Sequence, residues 1–267
     1  IAEQSIGRLF AAAVIPGITQ ALFYMGAIFV MCRINPALGP AIARTPWRER
    51  LPAIRRIADI ALLIIFVVGG LVVGWFTPTE AAAVGCVGAL GLCAWRRRLS
   101  GAMLADALRT TLRTTGMIYV VIIGALLFSV FISVTGITDQ ISMLVRSMDA
   151  GPLVAILVMA LALLLLGSVL DGLALMLLMT PIFLPIVHEL NLSPIWFGIF
   201  LVRTMEIGFV HPPLGMNVYV LHEMARDIPL GTIFRGIVPF LIADFLHLAL
   251  LIGVPAVSLW LPSVVSP

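Results

Sequence analysis

Residues 206–217 read EIGFVHPPLGMN and interrupt an apolar run that extends from residue 196 to residue 224. Pro212 and Pro213 have no backbone N–H to donate, and their rings crowd the preceding turn of a helix. Unpaired carbonyls are costly in hydrocarbon, so non-helical backbone at membrane depth is found where it is buried in protein or lines a wet cavity. The stretch therefore predicts a membrane helix broken into two halves with a site at the break; a proline kink accommodated by packing is the alternative.

Small and polar residues flank this break. Gly208 and Gly215 let the chain turn without a Cβ and let another backbone or an ion approach closely, and Asn217 adds a polar side chain. The first half-helix would direct its negative C-terminal end into the cavity, and the second its positive N-terminal end. Such a pair of ends suits a small cation bound beside an anionic ligand.

The composition predicts a polytopic, all-α membrane protein. The chain has 267 residues, 61% of them hydrophobic and 11% charged, with several apolar runs of the roughly 20 residues needed to cross a bilayer. All sixteen basic residues counted as Lys plus Arg are Arg, which excludes a Schiff-base lysine. Neither the net charge of +3 nor the three cysteines indicates a nucleic-acid partner or a disulfide framework. The chain begins with Ile1 and no signal peptide is recognisable, so we expect upstream sequence to be missing.

The apolar runs and the polar stretches between them divide the chain into consecutive segments. In order these are a first transmembrane segment (1–33), a basic cytoplasmic loop or arm (34–56), scaffold transmembrane helices (57–136) that include an amphipathic interfacial helix (101–114), an external amphipathic helix and a hairpin (137–190), the broken helix (191–226) and a final transmembrane helix (227–267). We expect the arm helix to lead into a separate crossing at 117–134, and the last apolar run, 233–261, to cross without interruption.

The arginines orient these segments. Thirteen of the sixteen fall on one side, which the positive-inside rule makes cytoplasmic. These thirteen are Arg33, Arg44, Arg48, Arg50, Arg55, Arg56, Arg96, Arg97, Arg98, Arg109, Arg113, Arg226 and Arg235. Arg8 and Arg146 fall on the other side and Arg203 within the membrane. The layout places the C-terminus on the side opposite the cytoplasm.

Thr77-Pro78-Thr79-Glu80 predicts a helix start. Thr77 can cap the helix, Pro78 suits its first position, and Glu80 can complete a capping box by reaching back to the cap. This structural role accounts for the motif, with a direct role of Glu80 in substrate binding as the alternative.

Residues 153–190 form two apolar arms around the sequence GSVLDG at 167–172. We interpret them as a re-entrant hairpin, because the tip carries two glycines, a hydroxyl and a carboxylate but none of the arginines typical of this chain's cytoplasmic turns. Two short complete spans are the alternative, since they would return the chain to the same side.

Ionisable groups inside a membrane segment cost roughly 2.5–3.5 kcal/mol on insertion scales, so each needs a partner or a role. Asp171 has no basic neighbour in sequence, and a lone buried carboxylate either protonates or holds a cation. Its hard oxygens, with the Ser168 hydroxyl and free carbonyls at the two breaks, are of the type that sodium prefers. His211 could titrate near neutral pH or only donate and accept hydrogen bonds.

Two further pairs are spaced to meet on one helix face. Arg203 and Glu206 are three residues apart and predict an ion pair, although Glu206 could also face the cavity. Asp244 and His247, also three apart, predict a packed polar pair, with a proton relay as the alternative. No catalytic triad, metal-ligand spacing or phosphate loop stands out, so we expect neither an enzyme nor a cofactor other than a coupling ion.

Four segments together resemble the large membrane subunit of TRAP (tripartite ATP-independent periplasmic) transporters, the DctM-like permeases. They are GWFTPTEAAAVG (74–85), GSVLDGLALMLLMTPIFLPIV (167–187), EIGFVHPPLGMNVYV (206–220) and VPAVSLWLP (254–262). The resemblance implies the ion-transporter-superfamily elevator fold and sodium-driven import of carboxylate-bearing solutes across a bacterial inner membrane, with a periplasmic C-terminus. It also implies a small membrane subunit and a periplasmic solute-binding protein as partners.

By the same resemblance, the hairpin tip and the broken helix form the two walls of an ion and substrate site. The residues so implied are Gly167, Ser168 and Asp171 on one wall and Gly208, Val210, His211, Pro212, Gly215 and Asn217 on the other. Sodium itself is assigned to Asp171, Ser168 and Gly208. This chain has His211 where family members usually carry threonine.

An internal echo suggests that the chain holds the second of two inverted repeats. SIGRLFAAAVIP at 5–16 resembles PLGTIFRGIVP at 229–239 with a one-residue gap, so residues 1–33 are interpreted as the last helix of a preceding repeat. The upstream half of the permease, with its own hairpin and broken helix, would then be a partner, and this chain alone should not transport.

Three other functions remain open on the sequence. A dicarboxylate or citrate carrier of the same superfamily would need no binding protein. An intramembrane aspartyl protease could use two membrane carboxylates such as Asp171 and Asp244. The third is a non-transporting scaffold subunit.

Overall fold

The computed structural model describes residues 2–40, 46–137, 140, 143 and 151–265, and its regular elements there are helices. They are α1 (Ile6–Ile34), a 3-10 turn (Pro36–Leu38), α2 (Trp47–Val73), α3 (Pro78–Trp95), α4 (Gly101–Thr135), α5 (Pro152–Gly167), α6 (Gly172–Glu189), α7 (Pro194–Val210), α8 (Met216–Met224), α9 (Leu230–Gly253) and α10 (Ala256–Val265). Five of these, α1, α3, α4, α6 and α9, are long and apolar enough to cross a membrane. The predicted external helix at 137–148 lies largely outside the described residues.

Helix α2 begins at Trp47, ten residues before the predicted start of the scaffold helices at residue 57. Part of the basic segment, including Arg48 and Arg50, is helical rather than a loop. Arginine and leucine are good helix formers, so a basic composition does not by itself end a helix. The helix ends at Gly74, which has a left-handed φ of 85°.

Helix α3 starts as its sequence predicts. The Thr77 Oγ accepts from the Glu80 N–H at 3.4 Å, and the Glu80 carboxylate accepts from the Thr77 N–H at 2.8 Å. The capping box is therefore complete. A Cβ added to Gly85 of α3 would lie 3.8 Å from Val67, so α2 and α3 pack closely through a glycine face.

Helix α4 contains both the predicted interfacial helix (101–114) and the predicted crossing (117–134), which were expected to be separate elements. Residues 101–135 form one uninterrupted helix of 35 residues, about 52 Å long at 1.5 Å per residue. The stretch contains no proline, so nothing removes a backbone donor between the arm and the crossing.

The hairpin forms as two helices, α5 and α6, joined by a four-residue tip at 168–171. Helix α7 packs against both and supplies much of the core. Its buried apolar residues are Ile195, Trp196, Phe197, Phe200, Leu201, Met205 and Ile207. The core therefore lies around the helix that leads into the double proline.

The last apolar run is broken, and the expectation of one uninterrupted helix over 233–261 is wrong. Helix α9 ends at Gly253 and α10 begins at Ala256. Pro255, between them, has no N–H to continue the ladder. Helices α9 and α10 both pack against α1. The two helices that begin alike in sequence, α1 and α9, each contain an internal proline, Pro16 and Pro239.

Candidate functional site

The hairpin tip and the end of α7 meet backbone to backbone. A Cβ built on Gly208 would lie 3.1 Å from the Cα and the carbonyl carbon of Gly167, and 3.1 Å from the carbonyl oxygen of Leu164. Ordinary contacts between such atoms are about 3.5–4.0 Å. A side chain at position 208 would require the neighbouring backbone to shift by a few tenths of an ångström. The structure thus brings together Gly167 and Gly208, which belong to opposite walls of the predicted site.

A second glycine contact lies just beyond the tip. A Cβ on Gly172 would lie 3.0 Å from the ring of Phe209 and 3.3 Å from the side chain of Met205. The start of α6 is therefore seated directly on the last turn of α7.

Two polar residues of the tip have local partners. The Ser168 hydroxyl is buried and donates to the carbonyl of Leu165 at 2.7 Å. The Asp171 carboxylate accepts from the Leu173 N–H at 3.0 Å and caps α6. On the surface of this chain Asp171 is exposed. Its role as a sodium ligand stays a prediction.

The predicted break is confirmed at 211–215. Helix α7 ends at Val210, and α8 starts after Gly215. Gly215 has a left-handed φ of +40°, and a Cβ built on it would lie 3.1 Å from the carbonyl oxygen of His211. The Pro212–Pro213 peptide is cis. A negative helix end and a positive one thus face the same short segment.

Two predicted site residues lie at or just after the break, His211 and Asn217. His211 is half-buried, and its ring stands edge-on to that of Phe245 on α9, with centroids 5.9 Å apart. Asn217 is exposed in the first turn of α8.

A buried charge network, which sequence spacing did not reveal, joins α7 to α9. Nη1 of Arg203 donates to the Glu206 carboxylate at 2.8 Å, which confirms that predicted pair. Nη2 of Arg203 donates to the Asp244 carboxylate, and its Nε donates to Nδ1 of His247 at 3.3 Å. Asp244 and His247 therefore meet through Arg203 rather than forming a separate pair.

The hydrogen bonds fix the tautomer of His247. Because Nδ1 accepts from Arg203, the ring is neutral and carries its proton on Nε2. Nε2 then donates to the Thr19 hydroxyl at 2.9 Å, and that hydroxyl donates to carbonyls of its own helix, α1. Gln20, also on α1, donates to Asp244 at 2.7 Å. The network thus ties three helices together.

A largely apolar groove of about 930 Å³ opens between α1, α6 and α7. Gln20, Arg203 and Glu206 line its polar part, and 53% of the Glu206 side chain is exposed. Within the described ranges, no three histidine, cysteine or acidic side chains are grouped to hold a metal ion.

Comparison with known proteins identifies the family. Residues 1–257 match the family model described as tripartite ATP-independent periplasmic transporter, DctM component. The chain belongs to this DctM family. The resemblance drawn from the TPTEAAAVG and double-proline motifs is thereby confirmed.

The relatives of this DctM chain have several different substrates in their names. It is 35% identical over 264 residues to the C4-dicarboxylate TRAP transporter large permease protein of Pseudomonas aeruginosa, covering 98% of this chain and 61% of that protein. It is 30% identical to the sialic acid TRAP transporter large permease protein of Vibrio cholerae, again covering 98% and 61%. With the isethionate TRAP transporter permease protein of Oleidesulfovibrio alaskensis it shares 26% identity over 97% of this chain and 41% of that protein. The chain thus spans about three fifths, or less, of these relatives.

Proposed function

We propose that this chain forms part of the large permease of a sodium-coupled, binding-protein-dependent TRAP-type transporter that imports carboxylate-bearing small solutes. One observation carries the proposal within the DctM family: the backbone contact between Gly167 and Gly208. It joins a hairpin tip to a broken helix, the arrangement in which transporters hold ions and substrates near the middle of the membrane.

The ion-binding part of the proposal assigns sodium to Asp171, Ser168 and the backbone at Gly208. The tip carries an exposed carboxylate, and the break that follows α7 offers backbone carbonyls released by the prolines. Sodium binding would order the tip against residues 208–217. The hairpin and the broken helix would then move as a block against the scaffold helices, the elevator mechanism.

The proposed partners are the upstream half of the permease, a small membrane subunit and a periplasmic solute-binding protein. The matches cover 61% of the Pseudomonas protein and 41% of the isethionate permease, so both relatives carry sequence beyond the part that this chain matches. We place the assembly in the bacterial inner membrane with a periplasmic C-terminus. An ion pair between Arg96 and Asp59 at 2.9 Å holds the basic end of α3 beside the middle of α2, three residues beyond Arg56, in keeping with one cytoplasmic, arginine-rich end.

The test is uptake by the assembled transporter, with its full-length permease, in liposomes. Radiolabelled succinate, sialic acid and isethionate would each be offered with and without the solute-binding protein, under an inward sodium gradient or with choline replacing sodium. We expect uptake of one carboxylate, succinate or sialic acid, that requires both sodium and the binding protein; uptake of isethionate alone, which is a sulfonate, would contradict the carboxylate assignment. Sodium-driven uptake that is the same with and without the binding protein would favour a dicarboxylate or citrate carrier that needs no binding protein. The absence of uptake under every condition would favour a scaffold subunit.

The aspartyl protease alternative has little support. It requires two carboxylates that face one another, whereas Asp171 caps α6 and Asp244 is held by Arg203. Cleavage of a membrane peptide by the purified assembly would overturn this conclusion.

A further inference from the structure

The end of α7 is held from two directions. Gly208 faces the hairpin, while Arg203 faces α9, whose His247 contacts Thr19 of α1. Five residues at 100° each separate these two positions by about 140° around the helix. Because Arg203 and Gly208 lie on the same helix, a displacement of α7 at Arg203 also moves Gly208 relative to the hairpin tip.

The contacts on the Arg203 side are buried and ionic. Arg203 is 8% exposed, Asp244 is 3% exposed and His247 is fully buried. Breaking such a pair leaves an uncompensated charge away from water, which is strongly unfavourable. The three side chains, here called the Arg203 clasp, therefore fix α7 against α9.

The clasp uses the shape of the guanidinium as well as its charge. Three different nitrogens of Arg203 donate to three different side chains, those of Glu206, Asp244 and His247. A lysine ammonium is a single point charge and cannot reproduce this planar fork. The bond from Arg203 to Nδ1 of His247 also leaves the proton on Nε2, which donates to Thr19. The position of Arg203 is thereby linked to α1 through His247.

We propose that the Arg203 clasp is a positioning device for the ion site: it sets the register of the last turn of α7 against the hairpin tip, and so determines sodium affinity without touching the ion. This inference rests on the proposed function, because it assumes that sodium binds between the tip and the break. It adds Arg203, Asp244 and His247, none of which is a proposed ligand, to the residues on which coupling depends.

The test measures sodium binding alone, with no solute. The assembled transporter in detergent is heated at increasing sodium concentration, with choline holding the ionic strength constant, and the sodium concentration that gives half of the thermal stabilisation is recorded. We expect Arg203→Lys to raise this concentration by roughly 2- to 30-fold, the range seen when residues along a coupling network are changed. As a matched control, Phe200→Leu alters a buried position of the same helix and should lower the melting temperature without changing the half-saturating sodium concentration.

A second variant separates positioning from stability. Arg203→Met with Asp244→Leu replaces the ion pair by apolar side chains, a change that is often neutral or stabilising, and it provides the test should the lysine variant fail to fold. We expect normal melting in choline with weakened sodium binding. Wild-type sodium affinity in either Arg203 variant would overturn the inference. A wild-type protein that shows no sodium response would instead overturn the proposed function on which the inference rests.

Discussion

Substitution of Gly208 by alanine tests the contact on which the candidate site depends. The added methyl would lie 3.1 Å from three backbone atoms of α5, the Cα and carbonyl carbon of Gly167 and the carbonyl oxygen of Leu164. Because comfortable contacts begin near 3.5 Å, the two helices must separate by about 0.5 Å. Backbone cannot rotate away as a side chain would, so we expect an overpacking cost of about 1–3 kcal/mol.

The size of the effect needs a control for helix propensity. Alanine is favoured over glycine by about 1 kcal/mol in a helix interior, which offsets part of the cost at Gly208. Gly124, in α4, has open space where a Cβ would go, so Gly124→Ala should gain the propensity term alone. The difference in unfolding free energy between the two variants then isolates the overpacking term.

The assay is unfolding of both variants in mixed detergent micelles, followed by the sodium titration described above. We expect Gly208→Ala to be less stable than Gly124→Ala by about 1–3 kcal/mol, and to bind sodium more weakly than the wild type. Equal stability of the two variants would refute the backbone contact between α5 and α7. Lower stability with unchanged sodium affinity would keep the contact but separate it from the ion site.

Three further changes test individual contacts, each by thermal or detergent unfolding. Thr77→Ala removes the N-cap of α3 and should cost about 0.5–2 kcal/mol; no loss of stability would show that the capping box contributes nothing. Trp196→Phe removes a donor that lies 2.9 Å from the Leu251 carbonyl and leaves this buried acceptor unpaired, so we expect a loss of about 1–3 kcal/mol, and an unchanged stability would contradict the interhelical bond. Gly215→Ala forces a side chain onto a residue with φ of +40° and should cost about 1–3 kcal/mol; a stabilising effect would mean that the break relaxes freely.

Local chemistry predicted those parts of the fold that depend on a few adjacent residues. The helix break follows from two consecutive prolines, which no neighbouring segment can compensate. The capping box at Thr77 follows from side chains that reach only their own first turn. The turn between the two apolar helices was predicted at residues 167–172, and the structure places both of its glycines in close contacts. The re-entrant course of the hairpin stays a prediction.

Parts of the fold that depend on partners from distant segments could not be predicted. Spacing on one helix paired Arg203 with Glu206 correctly, but it also paired Asp244 with His247, which instead meet through Arg203 on a different helix. Nothing in a linear sequence states that α7 and α9 pack with these faces together. The capping role of Asp171 was not predicted for a related reason, since it depends on where α6 begins.

The break at Pro255 shows a limit of hydropathy. The residues from 233 to 261 are predominantly apolar, which predicted a single crossing. This run nevertheless contains Pro255, at which the helix is broken. The double proline at 212 and 213, with its flanking glycines, predicted a break in a run that is also largely apolar. A single proline is less decisive, since Pro255 lies in the break after α9 whereas Pro239 lies inside the same helix.

Replacement of Asp171 tests the central claim most directly, and asparagine is the informative choice. Asparagine caps a helix about as well as aspartate, so Asp171→Asn removes the charge while keeping the start of α6, whereas Asp171→Ala removes both. The measurement is the sodium dependence of solute uptake by the assembled transporter in liposomes carrying each variant. We predict that the asparagine variant folds like the wild type and loses sodium-dependent uptake; undiminished sodium coupling in that variant would contradict the assignment of the hairpin tip as the ion site.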